Sequence, residues 1–436
     1  MEANLALFLV IYTSLFLLLI FSGIPIAYGL GLLGIVTLGI FTGWDKTKMI
    51  SYLAWNSTTM YSLTAIMPFT LMGCIFAHSG LAMRIFSSLS PLMCRLLPGG
   101  LLHANVVAGA LFAASSGSSI ATTTTLGLIS LAELERRGYD RRLSIGSVIS
   151  GGSLGILIPP SITMIIYGGI TNNSIGELFI AGVIPGIILT MLYMSYIAIR
   201  LKLTPSLATP GEEVPFKIAI VQALEAWPLL LLIVVVIGSI YLGVATATEA
   251  GSMGCVLTVM IAAAYRLLCW EVIKKSTWDA VRVQGVLLLL FTLARVVGCS
   301  VALLEVPNML MEFIVSLKLN PYLILASIFL IYIGLGMIME SLTSIIMTLA
   351  ITYPVVTGLG FDPIWYGVAL VLLDECGLLS PPFGLSLFVI QGLFPKYKFS
   401  DIYKAAIPFC LIILFLLTLL TVFPKLATFL PGMMHR

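Results

Sequence analysis

The sequence predicts an all-α polytopic membrane fold, organised as an inverted repeat with two re-entrant helical hairpins and two broken helices. Three observations carry this. First, 60% of the 436 residues are hydrophobic and only 9% are charged, and apolar runs of about 20 residues, the length of a bilayer-crossing helix, recur throughout. Second, landmark motifs return at one constant spacing of 222 residues. Third, SSGSSIATTTT, from Ser115 to Thr125, puts eight hydroxyls into eleven residues of an otherwise apolar region.

The mean hydropathy is +1.12. So little charge on such long runs argues against a β-barrel. A net charge of +3 is too small to point to nucleic acid. The seven cysteines are scattered through apolar runs without a CxxC pair, which reads as packing rather than metal or disulfide chemistry. The N-terminal run has no basic segment ahead of it and no small-residue cleavage site, so it is expected to be the first span rather than a signal peptide.

In chain order, the first half covers residues 1–210, with spans expected near 5–22, 24–42, 56–78, 143–172 and 178–199. Between the third and fourth lies 100–134, too short for two crossings and too long for one. A hairpin that enters and leaves by one face fits it. A cytoplasmic linker is expected at 211–222, and the second half covers 223–436. GILIPP at Gly155–Pro160 returns as GLLSPP at Gly377–Pro382, and GYD at Gly138–Asp140 returns as GFD at Gly360–Asp362. The second half therefore carries its own hairpin, near 321–357, and its own broken helix, near 364–394. Five crossings plus a hairpin is an odd number, so the halves are inverted. With both termini outside, 16 of the 22 Lys and Arg fall in inner loops and five outside, while Arg295 falls within a span. That bias supports the orientation.

Non-helical backbone at membrane depth must be satisfied by something. SSGSS reads as a hairpin tip turned at Gly117, and Gly155–Pro160 as a break whose two prolines leave carbonyls one turn earlier unpaired. Freed carbonyls beside hydroxyls make a hard-oxygen site for a small cation such as sodium. Half-helix N-termini at the tips present their positive ends to an anion. The repeat predicts a second tip at Met339–Ser344 and a second break at Gly377–Pro382. The plain alternative is that these small residues only pack between helices, and Thr122–Thr125 fit that reading equally well.

At these motifs a resemblance emerges. SGSSIATTTTLG is similar to the first signature of the large membrane subunit of TRAP transporters, the DctM type. SGIP at Ser22, MPFTLMG at Met67, GVATATEAG at Gly243, Glu340-Ser341 and GLLSPPFG at Gly377 agree in the same order. The sequence departs from the pattern at the TTTT run, at Ala247 where Pro is usual, and at Leu373 where Asn is common. The resemblance implies an elevator-type, sodium-coupled importer of a small organic anion, often a carboxylate. It implies two partners, a small DctQ-type membrane subunit of about four helices and a DctP-type periplasmic binding protein, and an inner-membrane location. Carried over by motif position, one sodium is expected among Ser116, Ser119, Gly155, Ile158 and Pro160. A second is expected, by the repeat, among Ser341, Thr343, Gly377, Ser380 and Pro382. No organic cofactor is implied. Substrate is expected between the tips, with Ser118, Thr122, Glu340, Ser344 and Arg295 as candidates.

Glu249, Arg295, Glu340, Asp374 and Glu375 fall in or near spans, where an ionised group is a functional candidate. Arg295 is expected either to pair with one of these carboxylates or to meet the substrate's carboxylate through its planar fork. Residues 82–97 and 303–318 read as amphipathic arms before each hairpin, linking a moving part to a fixed one, or as plain connecting helices. Three other classes compete. A stand-alone sodium-coupled carboxylate or anion symporter shares inverted hairpins but needs no partner. An intramembrane serine hydrolase on Ser116 or Ser118 lacks a base, because His78, His103 and His435 form no cluster. A channel lacks any charged ring.

Overall fold

The computed structural model describes residues 2–209, 214–316 and 318–434. Residues 211–213 of the expected linker, and His435 and Arg436 at the outer end, lie outside the described residues. Among those described there is no strand. The first half comprises α1 (Glu2–Phe21), α2 (Ile26–Thr42), α3 (Met49–Thr58), α4 (Ile66–His78) and α5 (Leu81–Leu96). It continues with α6 (Gly100–Ser116), α7 (Ser119–Leu126), α8 (Ala132–Arg136), α9 (Arg141–Ser153), α10 (Ile162–Thr171) and α11 (Ile175–Leu203). The second half runs through α12 (Phe216–Leu224), α13 (Trp227–Tyr241), α14 (Ala247–Ala264), α15 (Trp270–Leu303) and α16 (Val306–Ser316). Then come α17 (Pro321–Ile338), α18 (Ser341–Gly358), α19 (Pro363–Leu379), α20 (Leu385–Leu393) and α21 (Phe399–Val422), followed by two short terminal helices. Seven helical stretches are long and apolar enough to cross a membrane, and α12–α13, bent by 44°, add an eighth. The protein is a multi-pass membrane protein.

Two expected elements differ in detail. The span expected at 56–78 is interrupted, because Ser57, Thr58 and Thr59 turn their hydroxyls onto carbonyls of their own helix and α3 ends there. The chain restarts as a single 3₁₀ segment, Tyr61–Ala65, leading into α4. The stretch expected as a linker is helical from Phe216, since its apolar residues find α5 to pack on.

The two regions around the breaks have matching local structure. Asp140 caps α9 by accepting from the Leu143 amide at 2.9 Å, and Asp362 caps α19 by accepting from the Trp365 amide at 2.8 Å. Each capped helix is buried on every side, from Leu143 to Ser153 and from Ile364 to Leu379. Each ends in a non-helical stretch holding a cis Pro-Pro bond, Pro159–Pro160 and Pro381–Pro382. A helix apolar all round belongs in the interior of a bundle, and α6, α7, α17 and α21 supply that surround.

Elsewhere small residues bring helices close. A β-carbon on Gly34 of α2 would stand 2.8 Å from the Val297 amide nitrogen of α15. Beside it Thr37 donates to Ser300 at 3.1 Å across the same interface. At the base of α8, hydrogen bonds from Arg136 and Arg137 hold the Glu133 carboxyl down at about 2, against an ordinary 4.5. Glu135 of α8 meets Lys396, in the segment before α21, at 2.6 Å, and Arg142 of α9 meets Asp401 of α21 at 2.8 Å. The Glu133 contribution is in place above its ordinary value and is lost as pH falls toward its lowered one; as an exposed pair it is small.

Gly34→Leu is expected to destabilise the α2–α15 contact by roughly 1–3 kcal/mol, the usual effect of overpacking. Gly238→Leu, at a glycine with open space around it, is expected to change little. Thermal aggregation midpoints of the two purified variants check this, and equal midpoints would refute it.

Candidate functional site

Both expected tips form, and they line one cavity of about 390 Å³. The first tip is the break between α6 and α7. Gly117 reverses the chain at φ +60°, and Ser118 caps α7 by accepting from the Ala121 amide. The second tip is the break at Met339-Glu340 between α17 and α18. Ser116, Ser118 and Ser119 line the cavity from one side and Glu340, Ser341 and Leu342 from the other. Thr70, Gly73 and His78 of α4, Thr163 of α10, and Asp279 and Val283 of α15 complete the wall. The N-termini of α7 and α18 both open here, which favours an anion.

The residues of the first expected cation set lie at the first tip and in the stretch that packs behind it. A β-carbon on Gly155 would stand 2.8 Å from the Ser118 carbonyl carbon and from Ser119 Cα, so the tip and the break touch through backbone. One on Gly117 would stand 3.0 Å from the Pro160 carbonyl oxygen. Ile158 and Pro160 lie in the non-helical stretch behind the tip. Ser116 Oγ and Thr122 Oγ1 share a hydrogen bond of 2.8 Å, and Thr122 also donates to the Ser118 carbonyl. Ser119 Oγ donates to Glu375 Oε1 of α19.

The second set is less complete. Ser341 and Thr343 are buried on α18, and the Ser341 hydroxyl has no protein partner. Gly377 lies within α19 rather than in the break, and it is where α19 meets α17: a β-carbon there would stand 2.6 Å from Gly336 Cα. Ser380 Oγ donates at 2.6 Å to the Cys376 carbonyl, and the Pro382 carbonyl accepts from the Tyr403 hydroxyl at 2.5 Å. The second break starts at Ser380 because α19 keeps its helical bonds one turn longer than α9 does.

Several candidates stand elsewhere than expected. Thr122 is fully buried in its own tip, and Ser344 is fully buried with its hydroxyl 2.6 Å from Asp374 Oδ1. Neither lines the cavity. Glu249 is an exposed capping-box residue bonded to the Thr246 amide at 2.8 Å, not a membrane-buried charge. Arg295 lines a different cavity, of about 310 Å³. Among the described residues no carboxylate is in ion-pair range of it, so the expected pairing with a carboxylate does not form.

Of the charges expected within spans, Asp374 and Glu375 form an adjacent acid pair on α19, and the sequence does not indicate their partners. Asp374 and Glu375 are fully buried, and each accepts from a serine of a different hairpin, Ser344 of α18 and Ser119 of α7. Their second oxygens have no protein partner, and neither does the buried Thr163 hydroxyl. Such orphaned oxygens suit a small hard cation better than a transition metal. Among the described residues no group of three His, Cys, Asp or Glu is placed to hold a metal. His78 and Asp279, 3.4 Å apart at one end of the cavity, carry no sequence signal, since the α4–α15 contact alone joins them.

The chain matches the family model described as the tripartite ATP-independent periplasmic transporter, DctM component, over residues 13–426. It is 33% identical to the C4-dicarboxylate TRAP transporter large permease protein DctM of Pseudomonas aeruginosa, over 92% of this chain and 93% of that one. It is 28% identical to the sialic acid TRAP transporter large permease protein SiaM of Vibrio cholerae, over 95% and 96% respectively. Among solved structures, the Alcanivorax borkumensis YdaH transporter superposes with a TM-score of 0.63 at 15% identity, covering 97% of this chain and 98% of that one, which is a likeness of fold. These relatives are permease subunits, not enzymes, and the serine-hydrolase reading falls with that. The chain belongs to the DctM family, the large permease component of TRAP transporters.

Proposed function

We propose that this chain is the translocating subunit of an inner-membrane importer that carries a small organic anion, most simply a carboxylate, in symport with sodium. The single observation that carries the reading is the 390 Å³ cavity in which two helix N-termini and two hydroxyl-bearing tips converge. An anion placed there meets the positive ends of α7 and α18 and the hydroxyls of Ser118 and Ser341. Sodium bound behind the first tip, at Ser116, Ser119 and the carbonyls of Gly155, Ile158 and Pro160, would order that tip and offset the anion's charge. A second sodium at Ser341 and Thr343 follows from the repeat, with the Ser380 hydroxyl and the Pro382 carbonyl each keeping a lone pair beside its present bond. The relatives named for C4-dicarboxylates and for sialic acid both carry carboxylate cargo, which supports the substrate class.

The halves 1–210 and 223–436 form, on this reading, an inverted repeat with re-entrant hairpins, and the tips and breaks move together as one body against α2, α4, α14 and α15. With the termini outside, His78 and Asp279 lie toward the cytoplasm, so the cavity described here is the inward-facing one. The family assignment supports a small DctQ-type subunit and a DctP-type periplasmic binding protein as partners.

The reading is tested in liposomes holding this chain and its small subunit, with the binding protein added outside and succinate, then sialic acid, as cargo. Uptake is expected to need both an inward sodium gradient and the binding protein. Uptake that proceeds fully without the binding protein would favour the stand-alone symporter instead. Uptake indifferent to sodium would remove the coupling ion.

Ser119→Ala deletes one sodium oxygen and releases Glu375. The sodium concentration for half-maximal uptake is expected to rise about tenfold, as for the loss of one hydrogen-bonding group to a charge. Gly155→Val forces the tip off the break and is expected to abolish uptake while the protein still purifies as a single species. An unchanged sodium dependence in Ser119→Ala would rule out the first site.

A further inference from the structure

A second cavity lies further along α15, the 34-residue helix that also walls the central one. Its volume is about 310 Å³, and its walls are apolar: Leu53 of α3, Ile170 of α10, Phe291 of α15, and Ile346 and Ala350 of α18. Arg295 is the one charged residue in the lining. It is half-buried, and no carboxylate among the described residues neutralises it. The fields of Arg295 and of Lys46, from the segment after α2, both reach the Cys299 sulfur in the same wall. A guanidinium in an apolar cavity without a counter-ion is poorly satisfied, and it is relieved by a planar anion that accepts two parallel hydrogen bonds.

The two cavities are related by helical geometry. Val283 lines the central one and Ala294 the second. Arg295 lies 12 residues beyond Val283, about 18 Å along the axis and about a third of a turn around it, so the two cavities open on different faces of α15. Both also touch α18 or its N-terminal tip, through Ser341 in one and Ile346 and Ala350 in the other. α18 thus borders both cavities.

We propose that Arg295 is a second carboxylate-binding station, toward the outer end of α15, which meets the cargo anion before the tips, reached through α18, carry it to the central cavity. This rests on the import reading above. It adds a charge-specific receiving site on the scaffold side, separate from the hydroxyls of the tips. The outer station holds the anion with a guanidinium, and the central one with helix N-termini and hydroxyls.

The test uses the complete transporter in liposomes, with succinate and sialic acid as probes and the loaded binding protein varied. Arg295→Gln is expected to lower kcat/KM for uptake at least tenfold while the maximal rate at saturation falls less than twofold. Arg295→Lys, which keeps the charge and loses the fork, is expected to fall between. Should Arg295→Gln fail to assemble, Cys299→Asp, which sets a carboxylate one turn away against the arginine, is expected to give the same loss. An unchanged kcat/KM, or a fall in maximal rate alone, overturns the proposal and leaves the import reading standing. If the wild type carries neither probe, the import reading itself fails. If wild-type kcat/KM depends on phosphatidylglycerol in the vesicles and that dependence vanishes in Arg295→Gln, the arginine holds a lipid phosphate, and the proposal is again overturned.

Discussion

Backbone that leaves the helix inside a membrane has no water to turn to, and the architecture of this chain follows from that constraint. Among the described residues, the two tips and the two Pro-Pro stretches leave the helix at Gly117-Ser118, Leu157–Ser161, Met339-Glu340 and Ser380–Gly384. At the first pair, each break is placed against the other: Gly155 admits the Ser118 carbonyl, and Pro160 lies against Gly117. The helices that lead into these stretches are packed on by α6, α7, α17 and α21. This is why α9 and α19, which lead into the breaks, are buried on all sides while most other helices keep a lipid-facing stripe.

The same constraint makes the site. A broken helix offers carbonyls without amide partners and N-termini with unpaired amides, so cation and anion determinants arise from one device. The serines near the tips then divide the labour. Ser118 and Ser341 face the cavity, Thr122 and Ser344 brace the tips internally, and Ser119 reaches Glu375. Asp374 and Glu375 stand side by side on α19 and hold one hairpin each, so a displacement of either tip is felt by the other through two adjacent residues of a rigid helix.

The two halves are not equal copies. Pro160 is buried and its stretch closes on a tip, whereas Pro382 is exposed and bonded to Tyr403. Ser380 feeds its own helix. The 222-residue spacing sets similar local backbone at the two breaks, but side-chain partners come from the neighbours each acquires: α11 meets the first break through Gly182 and Gly186, whereas α21 meets the second through the Tyr403 hydroxyl. The second cation set was carried over from the first by spacing alone, and this is where the carry-over is weakest.

By itself the sequence determined the helical class, the pairing of breaks at a spacing of 222 residues and the turn at Gly117, because hydropathy runs, proline and glycine act locally. It also determined the Asp140 and Asp362 caps, which need only three residues to form. The tertiary structure alone decided which polar groups share a cavity. Arg295, Glu340, Asp374 and Glu375 look alike in sequence, as charges inside apolar runs. Only the packing of α15 against α18, and of α19 between the hairpins, sends Arg295 to a cavity of its own, Glu340 to the central one, and the acid pair to the serines of both hairpins. Contacts across more than 200 residues depend on which helix faces meet, and hydropathy does not distinguish a polar side chain turned to a neighbouring hydroxyl from one turned to a cavity.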